Sequence, residues 1–275
     1  MNRKPFWKFS NRPSTRPPLN EPPLPNPGES TEKYIQTFLD DRIFSYLLFC
    51  LLTVFLALWE WWAWYQNLPR QPELYFLMAA VIVPFALFRI LQNRKKLKAL
   101  QLGLEGEIAV GQFLETLRES GARVFHDIPG PGFNLDHVLV SPKRVFVIET
   151  KTWSKPVRGA TIITFNGEGV SKNGGPYDPA PVVQVTAAAN WLREMLLEFT
   201  EQDYPIQPIV VFPGWYIQPT AESKSHPVWV LNHKAVPGFI VNSRNQLSTE
   251  EVHMISVYLS RYVRTLSPQT KGGAL

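Results

Sequence analysis

The 275 residues give room for one core of ordinary size plus an appendage, and 25 prolines mark where packing is absent. A single cysteine, Cys50, excludes an intramolecular disulfide, and no Cys or His cluster has zinc spacing. A pI near 9.3 invites a nucleic-acid reading of the whole chain, but the charge is unevenly spread. Residues 1–100 hold 13 Lys and Arg against 7 Asp and Glu, whereas residues 101–275 hold 15 against 16, so most of the excess belongs to the N-terminal third.

Residues 1–32 contain Arg16-Pro17-Pro18 and Pro22-Pro23-Leu24-Pro25-Asn26-Pro27-Gly28. Such runs cannot form a helix and carry little apolar surface, so an extended, mobile cytoplasmic arm is expected. Ile43 to about Tyr65 and Leu74 to Leu91 follow as nearly uninterrupted apolar runs, each near the length that crosses a hydrocarbon core of about 30 Å. They predict a transmembrane hairpin within residues 33–98, with Trp59, Trp61, Trp62, Trp64 and Tyr65 as an interfacial belt at the connection and Glu60 hydrated near the headgroups. The first run starts too late and is too long for a signal peptide.

Lys33 and Arg42 precede the first span, Arg89, Arg94, Lys95, Lys96 and Lys98 follow the second, and only Arg70 lies between. That asymmetry predicts a multi-pass protein of the cell (inner or plasma) membrane with both termini cytoplasmic and a basic segment that can hold anionic lipid headgroups.

Residues 101–270 read as an α/β domain. Leu104 to Ser120 has helical periodicity, and Val110, Phe113, Leu114 and Leu117 form an apolar stripe on which Glu107 also lies. Arg123 to Ile128 predicts a strand. Asp136 to Val140 and Val145 to Lys151 predict two more, folded together by the turn Ser141-Pro142-Lys143-Arg144. Asp178-Pro179 opens a helix through about Glu198, in which Gln184 shares a face with Ala187, Ala188, Trp191 and Met195 and is expected to point inward. Thr161 to Phe165, Ile206 to Phe212 and Val228 to Leu231 predict further strands, and the capping box Ser248-x-x-Glu251 opens a terminal amphipathic helix through about Leu266. The elements amount to a mixed sheet flanked by helices.

The chemistry concentrates on the central hairpin. Period-two alternation puts Glu149 and Lys151 on one face, and the tight turn can bring Asp136 beside Glu149. Two carboxylates and an ammonium at close range are costly unless compensated, and Mg2+ or Mn2+ is the natural compensation, since such sites use one or two carboxylates plus substrate phosphate oxygens. His126 and His137 read as structural, His137 facing away from Asp136.

Gly103-x-x-Gly106-Glu107, His126-Asp127-Ile128, Asp136-His137-Val138-Leu139-Val140, Val147-Ile148-Glu149-Thr150-Lys151 with Trp153, and Pro181-x-x-Gln184 together resemble the NERD (nuclease-related domain) family, which is similar to the PD-(D/E)XK nuclease superfamily. The resemblance covers Leu102 to about Phe212, and Leu135 stands where the superfamily label has proline. It implies a restriction-endonuclease-like sheet, Asp136 and Glu149 as metal ligands, Lys151 orienting or activating the attacking water, Glu107 assisting the metal and Gln184 supporting the site.

The reaction so implied is Mg2+-dependent phosphodiester hydrolysis of DNA by a membrane-anchored cytosolic domain, in DNA processing or defence. Lys143, Arg144, Lys155, Arg158 and Lys172 form a basic patch that could track a phosphate backbone. A second reading is a catalytically silent, membrane-tethered module that binds nucleic acid or protein. Neither reading fixes the oligomeric state, and an oligomer is compatible with both.

Overall fold

The computed structural model describes residues 23–66 and 72–266. Most of the expected proline-rich arm and the connecting loop with Arg70 lie outside the described residues.

Helix α1 (Glu29–Leu39) runs through a π-helical turn at Asp40–Phe44 into α2 (Ser45–Tyr65), and α3 (Pro72–Glu115) returns beside it. Residues 29–32, read from the sequence as the end of the arm, therefore begin a helix that packs on α3. Both long helices are apolar enough and long enough to cross a membrane. Their large side chains stay outward, with Phe49 63%, Leu77 64% and Val81 65% exposed, which a core helix of a soluble domain would not tolerate. The buried positions are small, Ala57, Ala63 and Ala86, as suits close helix pairing in lipid. Glu60 lies on the same stripe of α2 and is buried there.

α3 is one helix where the sequence suggested two. Nothing between Leu91 and Leu102 interrupts it, because Arg, Lys, Gln, Leu and Ala are strong helix formers, and single glycines at 103 and 106 cost too little to break so long a helix. Its 44 residues span roughly 66 Å, so the apolar turns, the basic segment and the turn that bears Glu107 form a single rod. The expected helical end at Thr116–Ser120 is a 3-10 turn, closed by Gly121 in a left-handed conformation.

The domain is built around a five-stranded sheet of order β1 (Arg123–Pro129), β2 (Asn134–Val140), β3 (Val145–Thr150), β7 (Ile206–Val211) and β9 (Trp229–Leu231). β1, β2 and β3 are antiparallel, whereas β3, β7 and β9 run parallel. A smaller sheet joins β4 (Ile162–Phe165), β5 (Val170–Lys172), β6 (Tyr177–Asp178) and β8 (Tyr216–Pro219).

Alternation along β3 sorts two cores. Val145 and Val147 pack with Val185, Ala188 and Leu192 of α4 (Ala180–Thr200) and with Ile255 and Leu259 of α6 (Thr249–Leu266). Phe146 and Ile148 pack with Val110 and Leu114 of α3 and with Val236 and Ile240 of α5 (Val236–Val241). The sheet is thus covered on both faces, which is what a parallel segment requires. The capping box forms as expected, Ser248 N–H donating to Glu251 Oε2 (2.7 Å) and Glu251 N–H to Ser248 Oγ (3.2 Å).

Candidate active site

The β2–β3 register pairs His137 with Ile148, so one step further along the ladder Asp136 stands opposite Glu149. The two acids share the β3 end that leads into Lys151. Asp136 Oδ2 accepts the Thr150 N–H at 2.7 Å, taking the backbone donor that would otherwise continue the ladder. Lys151 Nζ donates to Glu149 Oε1 at 2.7 Å and to Gln184 Oε1 at 2.7 Å. Glu149 is buried, and the Lys151 side chain is about a quarter exposed. The tight turn and the alternation therefore bring together Asp136, Glu149 and Lys151.

Gln184 arrives differently from its expected inward placement. The buried stripe of α4 is Val182, Val185, Ala188, Ala189, Leu192 and Leu196, and Gln184 lies on the exposed flank beside it. The sequence face was drawn one position off, since the stripe follows Val182 and Val185. The amide still reaches Lys151 because Asp178 Oδ1 accepts the Ala180 N–H (2.9 Å) and starts α4 over the end of β3.

Glu107 comes from α3 on the other side, with both carboxylate oxygens accepting from Thr31 Oγ1 at 3.3 and 3.2 Å. Gly106 lets this turn approach, for a Cβ there would fall 1.6 Å from Thr152 Oγ1. Burial, with help from the Asp127 and Glu149 charges, raises the Glu107 carboxyl to about 7 against the opposing Thr31 hydrogen bond and Lys151 charge. Burial also lifts Asp136 well above the carboxylate range, reinforced by Glu149 and Glu107. Glu149 is raised by burial, with Lys151 working against the shift. Three acids are thus held where ionisation is costly, and among the described residues no cation pairs with Asp136 or Glu107.

These residues suit a hard divalent cation that keeps several waters. Their donors are carboxylate oxygens, and positive charge would relieve the repulsion that raises them. Among the described residues, no three His, Cys, Asp or Glu side chains are grouped closely enough to form a complete protein cage. Mg2+ does not need one, since one or two carboxylates and substrate phosphate complete its shell.

Residues 102–213 match the family model of the nuclease-related domain. No curated protein and no solved structure matches the chain. The NERD match contains all five polar positions named above, from Glu107 to Gln184, and ends just past β7.

The basic patch divides. Lys155 Nζ donates to Gly214 O (2.6 Å), and Lys172 Nζ donates to Ser154 O (2.7 Å) and stands 5.3 Å over the Trp215 ring, so both line the loop that follows Lys151, where Arg158 also lies exposed. A cavity of about 820 Å³ beside this loop is lined by Lys95, Lys98, Thr152, Trp153 and Lys172. Lys143 and Arg144 are not part of it. They sit in the turn at the opposite end of β3, roughly 20 Å of extended strand away, and Arg144 is bonded to Gln207 Oε1 (3.0 Å). A slightly larger cavity, about 860 Å³ with Phe165, Trp215, Tyr216 and Trp229 in its wall, contains no acid and is separate from this chemistry.

His126 and His137 face each other and Glu115 rather than the acids of the β3 end. Their Nδ1 atoms meet at 2.9 Å, His126 Nε2 contacts Glu115 Oε1 (2.7 Å), and burial lowers both rings, His137 to about 3. What the sequence reading missed is Asp127 with Ser30 and Thr31. In β1, Asp127 falls between His126 and Ile128, which pair with His137 and Leu135 on either side of Asp136, and its own left-handed backbone interrupts the ladder there. The His-Asp-Ile motif carried that signal, but nothing in the proline-rich arm indicated that its end would meet the acids.

Proposed function

We propose that this chain is a membrane-anchored, Mg2+- or Mn2+-dependent nuclease that hydrolyses phosphodiester bonds of DNA on the cytoplasmic side of the cell membrane, with a restriction-endonuclease-like domain. The observation that carries the reading is the convergence of Asp136, Glu149, Lys151 and Gln184 within the NERD match. The hairpin reading rests on the two long apolar helices. Its cytoplasmic orientation rests on the basic cluster Arg89 to Lys98 at one end and the exposed Trp59, Trp61, Trp62 and Trp64 at the other.

Asp136 and Glu149 would hold the cation, and Glu107 would add a third carboxylate once ionised. A bound Mg2+ supplies positive charge to the phosphoryl oxygens and lowers the pKa of its water. Lys151 has three N–H donors. Two are used by Glu149 and Gln184, which fix the ammonium and leave the third for the attacking water or a non-bridging phosphate oxygen. Lys155, Arg158 and Lys172 offer the charge that guides a strand past this point. Lys143 and Arg144 would meet only a substrate long enough to reach the far end of the sheet.

The test uses the full chain in detergent micelles with end-labelled linear, circular, single-stranded and branched DNA and with RNA, in Mg2+, Mn2+ or EDTA. Wild type should cleave DNA only with metal, and Asp136→Asn and Lys151→Ala should each lower the rate at least about 100-fold while melting as folded proteins. Turnover at the wild-type rate in both variants would sink the mechanism. No cleavage by a folded chain that still binds Mn2+ would leave the binding-module reading in its place.

A further inference from the structure

We infer that Ser30 and Thr31, on the first turn of α1, are positioning residues that hold Asp127 and Glu107, so that a helix of the membrane hairpin sets the geometry of the acids. The inference rests on the nuclease reading for its kinetic consequence. Ser30 N–H donates to Asp127 Oδ2 and Ser30 Oγ to Asp127 Oδ1, both at 2.6 Å, and Asn134 Nδ2 adds a third bond at 2.9 Å. The first amides of a helix lack intrahelical partners, and the N-cap of α1 is Gly28, which has no side chain to supply one. Asp127 supplies it from β1. Thr31 Oγ1 lies against both oxygens of Glu107.

The approach is close enough to require glycine on both sides. At Gly28, with φ +74°, a Cβ would meet Leu104 Cδ1 at 2.5 Å and Glu107 Oε2 at 3.3 Å; at Gly111 it would meet Pro27 Cγ at 2.4 Å. Asp127 itself has φ +52°, an uncommon conformation for a residue within a strand. Its carboxylate is committed to Ser30 and Asn134. Further along α1, Lys96 of α3 stands 5.8 Å over Tyr34 and 5.1 Å over Phe38, so the two helices are joined at more than one level. α1 then passes directly into α2.

The experiment compares the full chain in micelles with Thr31→Val, which keeps the shape and removes the hydroxyl, with Thr31→Ser, with Glu107→Gln and with the Thr31→Val/Glu107→Gln double variant. Thr31→Val should lower kcat about tenfold with KM changed by less than about twofold, Thr31→Ser should restore it, and the double variant should be no slower than Glu107→Gln alone. Mn2+ titration followed by electron paramagnetic resonance gives a readout that needs no turnover. Affinity should fall several-fold in Thr31→Val and return in Thr31→Ser.

Wild-type kcat and Mn2+ affinity in Thr31→Val, or effects that multiply in the double variant, would overturn the positioning role while leaving the nuclease reading intact. Mn2+ affinities that shift as expected in a chain that cleaves nothing would retire the nuclease reading and keep the clamp. A wild-type chain that neither binds Mn2+ nor cleaves would end both.

Discussion

Burial raises the Glu107 carboxyl to about 7, and this sets a pH signature that can be tested. Its folded carboxyl holds a proton up to about 7, whereas the unfolded side chain gives it up near 4.5. Between those values the native state binds more protons, so stability falls as pH rises through the window and the loss is complete above it. The buried His126–His137 pair works in the opposite sense, losing stability as pH falls below the ordinary imidazole range. Comparison with Glu107→Gln removes that second effect. The melting temperature of the variant minus that of wild type should grow from pH about 4.5 to about 7 and then level off. Mg2+ added at pH 8 should stabilise wild type more than the variant. A flat difference across this range would show that Glu107 is not held as the structure has it. At this scale Asp136, Glu149 and Lys151 were legible because period two and a short turn leave one arrangement. Asp127 was not, because its φ of +52° and its partner Ser30 are tertiary facts.

Among the elements, α3 decides how closely the apolar hairpin and the strands that carry Asp136 and Glu149 can meet, and its two glycines make opposite predictions. A Cβ at Gly103 meets nothing within 4 Å, so Gly103→Ala should stabilise by up to about 1 kcal/mol through helix propensity. At Gly106 the Cβ would lie 1.6 Å from Thr152 Oγ1 and 2.8 Å from Thr152 Cβ, so the same change should cost about 1–3 kcal/mol despite that propensity gain. It should also slow turnover, since α3 must move away from the end of β3. Thermal melting and rate assays on both variants check this, and equal effects at the two positions would mean that α3 does not press on Thr152. The five strands of the main sheet, β4 and the terminal capping box could be read from local pattern, whereas the short β5, β6 and β8 were not expected. The continuity of α3 across Leu91 to Leu104 could not, because apolar periodicity marks where a helix packs and is silent where a polar helix merely continues. The face of Gln184 was misread for a related reason: α4 has apolar residues on more than one side, and the sheet chooses which are buried.

For the whole molecule, hairpin and domain share α3 and meet again at Ser30 and Thr31, and truncation is the strongest test of whether they act as one unit. A piece from Gln101 onward keeps Val110, Leu114 and Leu117 in one core and all of α4 and α6 in the other, so it should fold. It loses Leu24, which packs on the larger core, and it loses Ser30 and Thr31, leaving Asp127 and Glu107 without those donors. Loss of the two hydrogen bonds to the Asp127 carboxylate costs roughly 1.5–3 kcal/mol each where burial is substantial, so the piece should melt well below the domain transition of the full chain. Its kcat on DNA should be about tenfold lower, as expected when a partner that orients a ligand is removed. Its KM should change little, because Lys155, Arg158 and Lys172 are all retained. The comparison is made at matched Mg2+ between the piece in buffer and the full chain in micelles, with the piece also assayed in micelles to remove the detergent effect. A piece as stable and as fast as the full chain would reduce the hairpin to a tether. A slower, softer piece would make it a part of the active site that happens to sit in the membrane.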